Sequence, residues 1–205
     1  MNDVVSTEQA KYIMMNNFIG PDELKNLIYF NIISDMIPSI PYSESELNMK
    51  KDDYLLILGI DHLSDNKETT IRNLRDIFGK DPDISEPCFY NQDWYDNESF
   101  IDKKINSEWF FIRKNVYENS RAVQPSELIK KHSFPSAINC TYAFFVAWKV
   151  LGLKLWYHDF VWCSDTDHNG DRIYVGKYHD VDGVNKNGFS IHRHLALRSC
   201  YGCID

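Results

Sequence analysis

The chain has 205 residues, a formal net charge of −8, 43% hydrophobic and 14% aromatic residues. That length fits one moderate domain, or a small one with an N-terminal appendage, and the apolar content excludes extensive disorder. The acidic balance argues against broad nucleic-acid binding, which needs clustered Lys and Arg. The densest basic cluster is only His192-Arg193-His194 with Arg198.

The first residues, Met1 to Ser6, carry no basic stretch followed by an apolar run, so no export signal is expected. The longest apolar stretch, Ala137–Leu153, is interrupted by Asn139, Thr141 and Lys149. It falls short of the ~20 residues that a bilayer span needs, so it reads as a buried helix and no membrane partner is expected. Cys88, Cys140, Cys163, Cys200 and Cys203 read as free thiols of a reducing, cytoplasmic compartment. The Cys200-x-x-Cys203 pair lacks the helix start or second ligand pair that a redox or zinc role requires.

Residues 1–80 read as a helical region. Ser6-Thr7-Glu8-Gln9 has the form of a capping box, and the helix it opens runs to about Phe18, before Gly20-Pro21. Asp22 is placed to cap a second helix whose apolar face would be Leu24, Leu27, Ile28, Ile32 and Met36. Between Asp52 and Leu63 the apolar run Tyr54–Leu58 fits a buried strand or a helix. The amphipathic stretch Glu68–Phe78 that follows favours a helical hairpin linked by Ser64–Lys67. Gly79 closes it.

Residues 81–104 form a connecting segment with Phe89, Tyr90, Trp94, Tyr95 and Phe100, rings that would anchor irregular chain to the body. Residues 105–205 read as mixed. Trp109–Arg113 is a strand, Gln124–Leu128 a short helix, and a long helix starts at Ser133-Phe134-Pro135 and stops at Gly152. Asp159–Ser164 and Arg172–Tyr178 are strands around an Asn169-Gly170 turn. The alternating stretch Phe189–Arg198 is the last strand.

Three constellations could carry chemistry. Asp165, Asp167, Asn169 and Asp171, with Gly170 sixth, resemble the start of a calcium loop, but the twelfth position is Gly176 where a bidentate Glu is needed. A polar hairpin loop is the plainer reading. His192 and His194 project from one strand face and, with Asp159, Asp180 or Asp182, could hold a transition-metal ion that activates water. A polar strand surface is the plainer reading here too. The rings of Trp156, Tyr157, Trp162, Tyr174 and Tyr178 serve either core packing or a binding face. Neither a nucleophile elbow, a P-loop nor a dinucleotide fingerprint is present.

The order strand, two helices, then short strands with polar loops is similar to the C-type-lectin-like fold. The likeness is to the calcium-independent branch of formylglycine-generating-enzyme-like domains and retroelement variable proteins. It rests on Trp162-Cys163-Ser164, Arg172-Ile173-Tyr174-Val175-Gly176, the Asp182–Gly188 loop and the closing Ile191–Arg198. It covers about the last 100 residues, and its catalytic cysteine pair does not map onto Cys163, Cys200 or Cys203. The resemblance implies ligand or protein binding through late loops, with Asp165–Asp171 and His179–His194 on one face.

The expected class is therefore α+β: a helical N-terminal region, then a C-type-lectin-like domain with two helices and a small antiparallel sheet. The expected role is a non-catalytic module for a protein or small ligand. Its site would use Asp165, Asp167, His168, Asn169, Asp171, His179, Asn185, Asn187, His192 and His194. No cofactor is expected beyond a calcium or transition-metal ion. The alternatives are a metal-dependent hydrolase with a His-x-His/Asp site and an acidic, immunity-type inhibitor of a basic partner.

Overall fold

The structure, a computed structural model, describes residues 5–33, 35, 37–179, 187–193 and 197–205. Helices and strands mix in an α+β arrangement with two sheets. Helix α1 (Thr7–Met14) opens with the capping box expected at Ser6. The Ser6 hydroxyl accepts from the Gln9 amide, and the Gln9 side chain accepts from the Ser6 amide. Strand β1 (Phe18–Ile19) and the one-turn helix α2 (Pro21–Leu24) follow.

The long helix expected after Asp22 is not formed. Leu24 is buried, but Ile28 is 81% exposed, and Met36 lies outside the described residues. Asn26, Ile28, Tyr29, Phe30 and Asn31 are weak helix formers. Their backbone is instead drawn to residues 62–64, with Asn31 N–H donating to the His62 carbonyl (3.1 Å) and Ser64 N–H to the Tyr29 carbonyl (2.8 Å).

Helix α3 (Glu44–Lys50) leads into β2 (Tyr54–Leu58), which corrects the helix expected over residues 52–63. All five positions of β2 are buried because it is the central strand of a sheet ordered β1-β2-β3. A strand flanked on both edges and covered on both faces needs an unbroken apolar run, so the period that separates strand from helix is absent. The expected helical hairpin is replaced by a tight turn, in which Leu63 N–H donates to the Lys67 carbonyl (2.8 Å). Helix α4 (Ile71–Phe78) starts three residues later than expected, capped by Thr70, and ends at Gly79.

Strand β3 (Trp109–Arg113) runs antiparallel to β2, with Leu58 opposite Trp109 and Tyr54 opposite Arg113. It therefore belongs to the N-terminal sheet and not to the sheet of the later strands. The one-turn helix α5 (Pro125–Leu128) precedes α6 (Ala137–Leu151). Ser136, one residue past the expected Pro135, caps α6 through the Asn139 amide, and Gly152 ends it in the left-handed conformation.

The second sheet has the order β6-β5-β4-β7, built from β4 (Phe160–Thr166), β5 (Arg172–Gly176), β6 (Ser190–Arg193) and β7 (Tyr201–Gly202). Strand alternation sorts its side chains. Val161, Cys163, Ile173, Val175 and Ile191 face the main core, while Phe160, Trp162, Tyr174 and Tyr201 form a second cluster with Leu128 and Phe134.

Helix α6 joins the two halves. Phe145 stacks on Phe78 (4.2 Å between ring centres) and on Phe89 (4.6 Å), and Phe144 lies against Phe189 (4.6 Å). The Tyr142 hydroxyl donates to the Leu58 carbonyl at the end of β2 (3.0 Å). One hydrophobic core thus runs through all three expected segments, and the rings of Phe89, Tyr95 and Phe100 sink the connecting segment into it. Among the described residues, no helix is long and apolar enough to cross a membrane.

Candidate functional site

The turn joining β4 and β5 and the strand end beside it carry two buried aspartates, Asp165 and Asp167, and both are held by the protein itself. Asp165 directs one carboxylate oxygen to the Ala137 amide (2.7 Å) at the start of α6 and the other to the Lys103 ammonium (2.6 Å). Asp167 accepts from the amides of Asn169 (2.9 Å) and Asp171 (2.8 Å), which closes the turn, and its second oxygen accepts from Arg193 on β6 (3.1 Å). The Arg193 guanidinium lies over the Trp94 ring (5.4 Å), and the Trp94 indole N–H donates to the Ile191 carbonyl (2.9 Å).

Glu98 completes the arrangement from the aromatic-rich segment. It is buried, and its carboxylate accepts from the His168 backbone amide (2.9 Å) and lies 2.6 Å from His168 Nδ1. With Glu98 ionised, a carboxylate only accepts, and His168 Nδ1 is then the donor of this bond. The His168 side chain is 67% exposed. Burial pushes the Asp167 carboxyl up, but the amides of Asp171 and Asn169 and the Arg193 guanidinium outweigh that and hold it below the usual carboxylate range.

Among the described residues, Glu98, Asp167 and His168 are the group whose ligand atoms come close enough for one ion, all within 4.8 Å of one another. Asp165 and Asp167 send their carboxylates to different partners, so the first two oxygens of the calcium-loop pattern do not converge. The flanks of the turn are strands, whereas that loop sits between helices.

The single binding face expected from the two late turns is corrected by the sheet. Consecutive hairpin connections along antiparallel strands emerge at opposite ends. Residues 165–171 therefore lie at one end of β5, and His179 and Asn187 lie beyond the other, a strand length of about 17 Å away. At that far end His179 Nδ1 meets Asn187 Oδ1 (2.8 Å), the His179 ring stacks on Tyr157 (5.8 Å), and His158 Nδ1 meets the His179 carbonyl (3.3 Å). His192, opposite Tyr174 in the sheet, stacks on that ring (5.7 Å) and meets Phe160 edge-on (5.5 Å). Asp159 pairs with Arg121 (2.6 Å). Asp180, Asp182, Asn185 and His194 lie outside the described residues.

The five cysteines are unbridged, and burial pushes the Cys200 and Cys203 thiols up, opposite to an activated redox pair. Glu98, Lys103 and Trp94 were missed as site residues. Lys103 reaches Asp165 across 62 residues and Glu98 reaches His168 across 70, separations over which no local pattern operates. Comparisons with protein-family models, with curated proteins and with solved structures found no match for the chain.

Proposed function

We propose that this chain is a binding module that presents the tip of the β4–β5 hairpin, His168 to Asp171, to a protein or small-ligand partner. One observation carries the reading. The carboxylates of Glu98 and Asp167 beneath the tip are occupied by its own amides and by Arg193, while His168, Asn169 and Gly170 stand exposed. A tip ordered before binding loses little entropy when a partner docks, which favours affinity. A catalytic carboxylate needs an oxygen free to exchange a proton or hold a nucleophile, and these oxygens are engaged.

The C-type-lectin-like reading of residues 105–205 supports the same role through its element order. The pairing of β3 with β2 departs from a self-contained unit of that kind. The net charge of −8 favours a basic partner and an inhibitor or immunity-type role. A metal-dependent hydrolase is the second reading, favoured by the Glu98–Asp167–His168 group, and it requires His168 Nδ1 and Arg193 to give way to the ion.

The test is partner capture from the source cells with the intact chain and with a His168→Ala/Asn169→Ala variant. The variant is expected to lose the partner with a Tm within about 1 °C of the parent, since exposed substitutions change stability little. A partner retained by the variant overturns the reading. Stoichiometric zinc uptake by untagged protein, lost in the variant, moves the assignment to the hydrolase.

A further inference from the structure

The N-terminal half contains a cavity whose lining shares no residue with the hairpin tip. This cavity of about 220 Å³ lies between Asn31, Ile32, Ile33, Ile37 and Pro38 on one side and the chain leaving β2 on the other. Its lining combines the apolar Ile32, Ile37, Pro38 and Ile60 with the ionisable Asp61 and His62. One Asp61 oxygen accepts from the Ser107 hydroxyl (2.8 Å) and lies 3.0 Å from His62 Nδ1. The other Asp61 oxygen has no hydrogen bond among the described residues. Among the described residues no Lys or Arg lines the cavity; Lys104 pairs with Glu68 (3.4 Å) and from outside the cavity also attracts the Asp61 carboxylate.

We infer that this cavity binds a small amphipathic cation, an apolar body carrying a primary ammonium or amidinium that pairs with the open oxygen of Asp61. Three features select that class. The apolar wall rewards burial of a hydrocarbon body. A carboxylate one-third exposed at the rim gives a cation a charge-assisted hydrogen bond and repels an anion. The Ser107 hydroxyl donates to one Asp61 oxygen, with His62 Nδ1 3.0 Å from the same atom, and these contacts orient the carboxylate, so the second oxygen is held in place before a ligand arrives. At roughly 30 Å³ per water-sized group, the volume suits a ligand of about seven heavy atoms.

The experiment uses the full chain and three probes of one shape: benzylamine, benzyl alcohol and phenylacetate, titrated at pH 8 and low salt and read by amide chemical shifts. Benzylamine is expected to bind saturably, with shifts centred on residues 58–62 and 107. Benzyl alcohol should bind about tenfold more weakly, and phenylacetate not at all. Asp61→Asn should weaken benzylamine by about tenfold and leave benzyl alcohol unchanged. Ile37→Trp, which fills the cavity and keeps the charge, should abolish binding of both. Equal binding of the three probes, shifts centred elsewhere, no saturable benzylamine binding, or binding unaltered in both variants overturns the assignment.

Discussion

Asp165 and Asp167 are two residues apart in sequence and hold different parts of the molecule. Asp165 ties β4 to the start of α6 and, through Lys103, to the aromatic-rich segment. Asp167 ties the turn to itself and to β6. Its pH response has a definite sign. Burial favours the neutral acid, but the two amides and Arg193 favour the anion more, so the folded pKa lies below the ordinary value of 3.8. Such a group contributes stability above the unfolded pKa and loses that contribution as pH falls through the folded one. Stability from this residue is expected to be level above about pH 5 and to decline below that range. In chemical denaturation across pH 2–7, Asp167→Asn should lower stability at neutral pH and remove part of the acid decline. An unchanged acid limb would contradict this assignment.

At the scale of elements, the helix and turn signals that depend on neighbouring residues were readable. The Ser6 capping box, the Asn169-Gly170 turn, the α6 stop at Gly152 and strands β3, β4 and β5 lie where the sequence puts them. The elements that depend on distant chain were not. Tyr54–Leu58 is a strand because β1 and β3 flank it, and residues 25–33 leave the helix because residues 62–64 pair with them.

The crossing of residues 88–90 with 187–190 is of the same long-range kind. Gly188 has φ +147°, and a Cβ there would stand 2.5 Å from the Tyr90 backbone. Phe189 exchanges backbone bonds with Cys88 and Tyr90 at this crossing (2.9 Å each). Gly188→Ala is therefore expected to cost about 3 kcal/mol, from backbone strain together with overpacking. A change below about 0.5 kcal/mol in urea denaturation, the range of ordinary surface substitutions, would show that the crossing yields without cost.

At the scale of the whole molecule, α6 has no complete environment in either half alone. Without residues 1–104 it loses Phe30 from Tyr142 and Phe78 and Phe89 from Phe145, while β3 loses its partner β2. Residues 105–205 produced alone are expected to lack a cooperative unfolding transition and the near-ultraviolet dichroism of fixed rings. A sharp transition in that fragment would establish it as an independent unit.

By itself the sequence determined the α+β class, the buried character of α6, the position of its stop and the polar turn between β4 and β5. Each of these is written in composition, in spacing over a few residues or in turn chemistry. The tertiary structure alone decided that β2 is a strand and that Glu98, Lys103 and Arg193 support the 165–171 turn. It also decided that His179 and Asn187 lie at the opposite end of β5 from the 165–171 turn. The reason is physical: those outcomes depend on which distant strands and side chains meet, and a contact across 60 or 70 residues leaves no periodic trace in the chain around either partner.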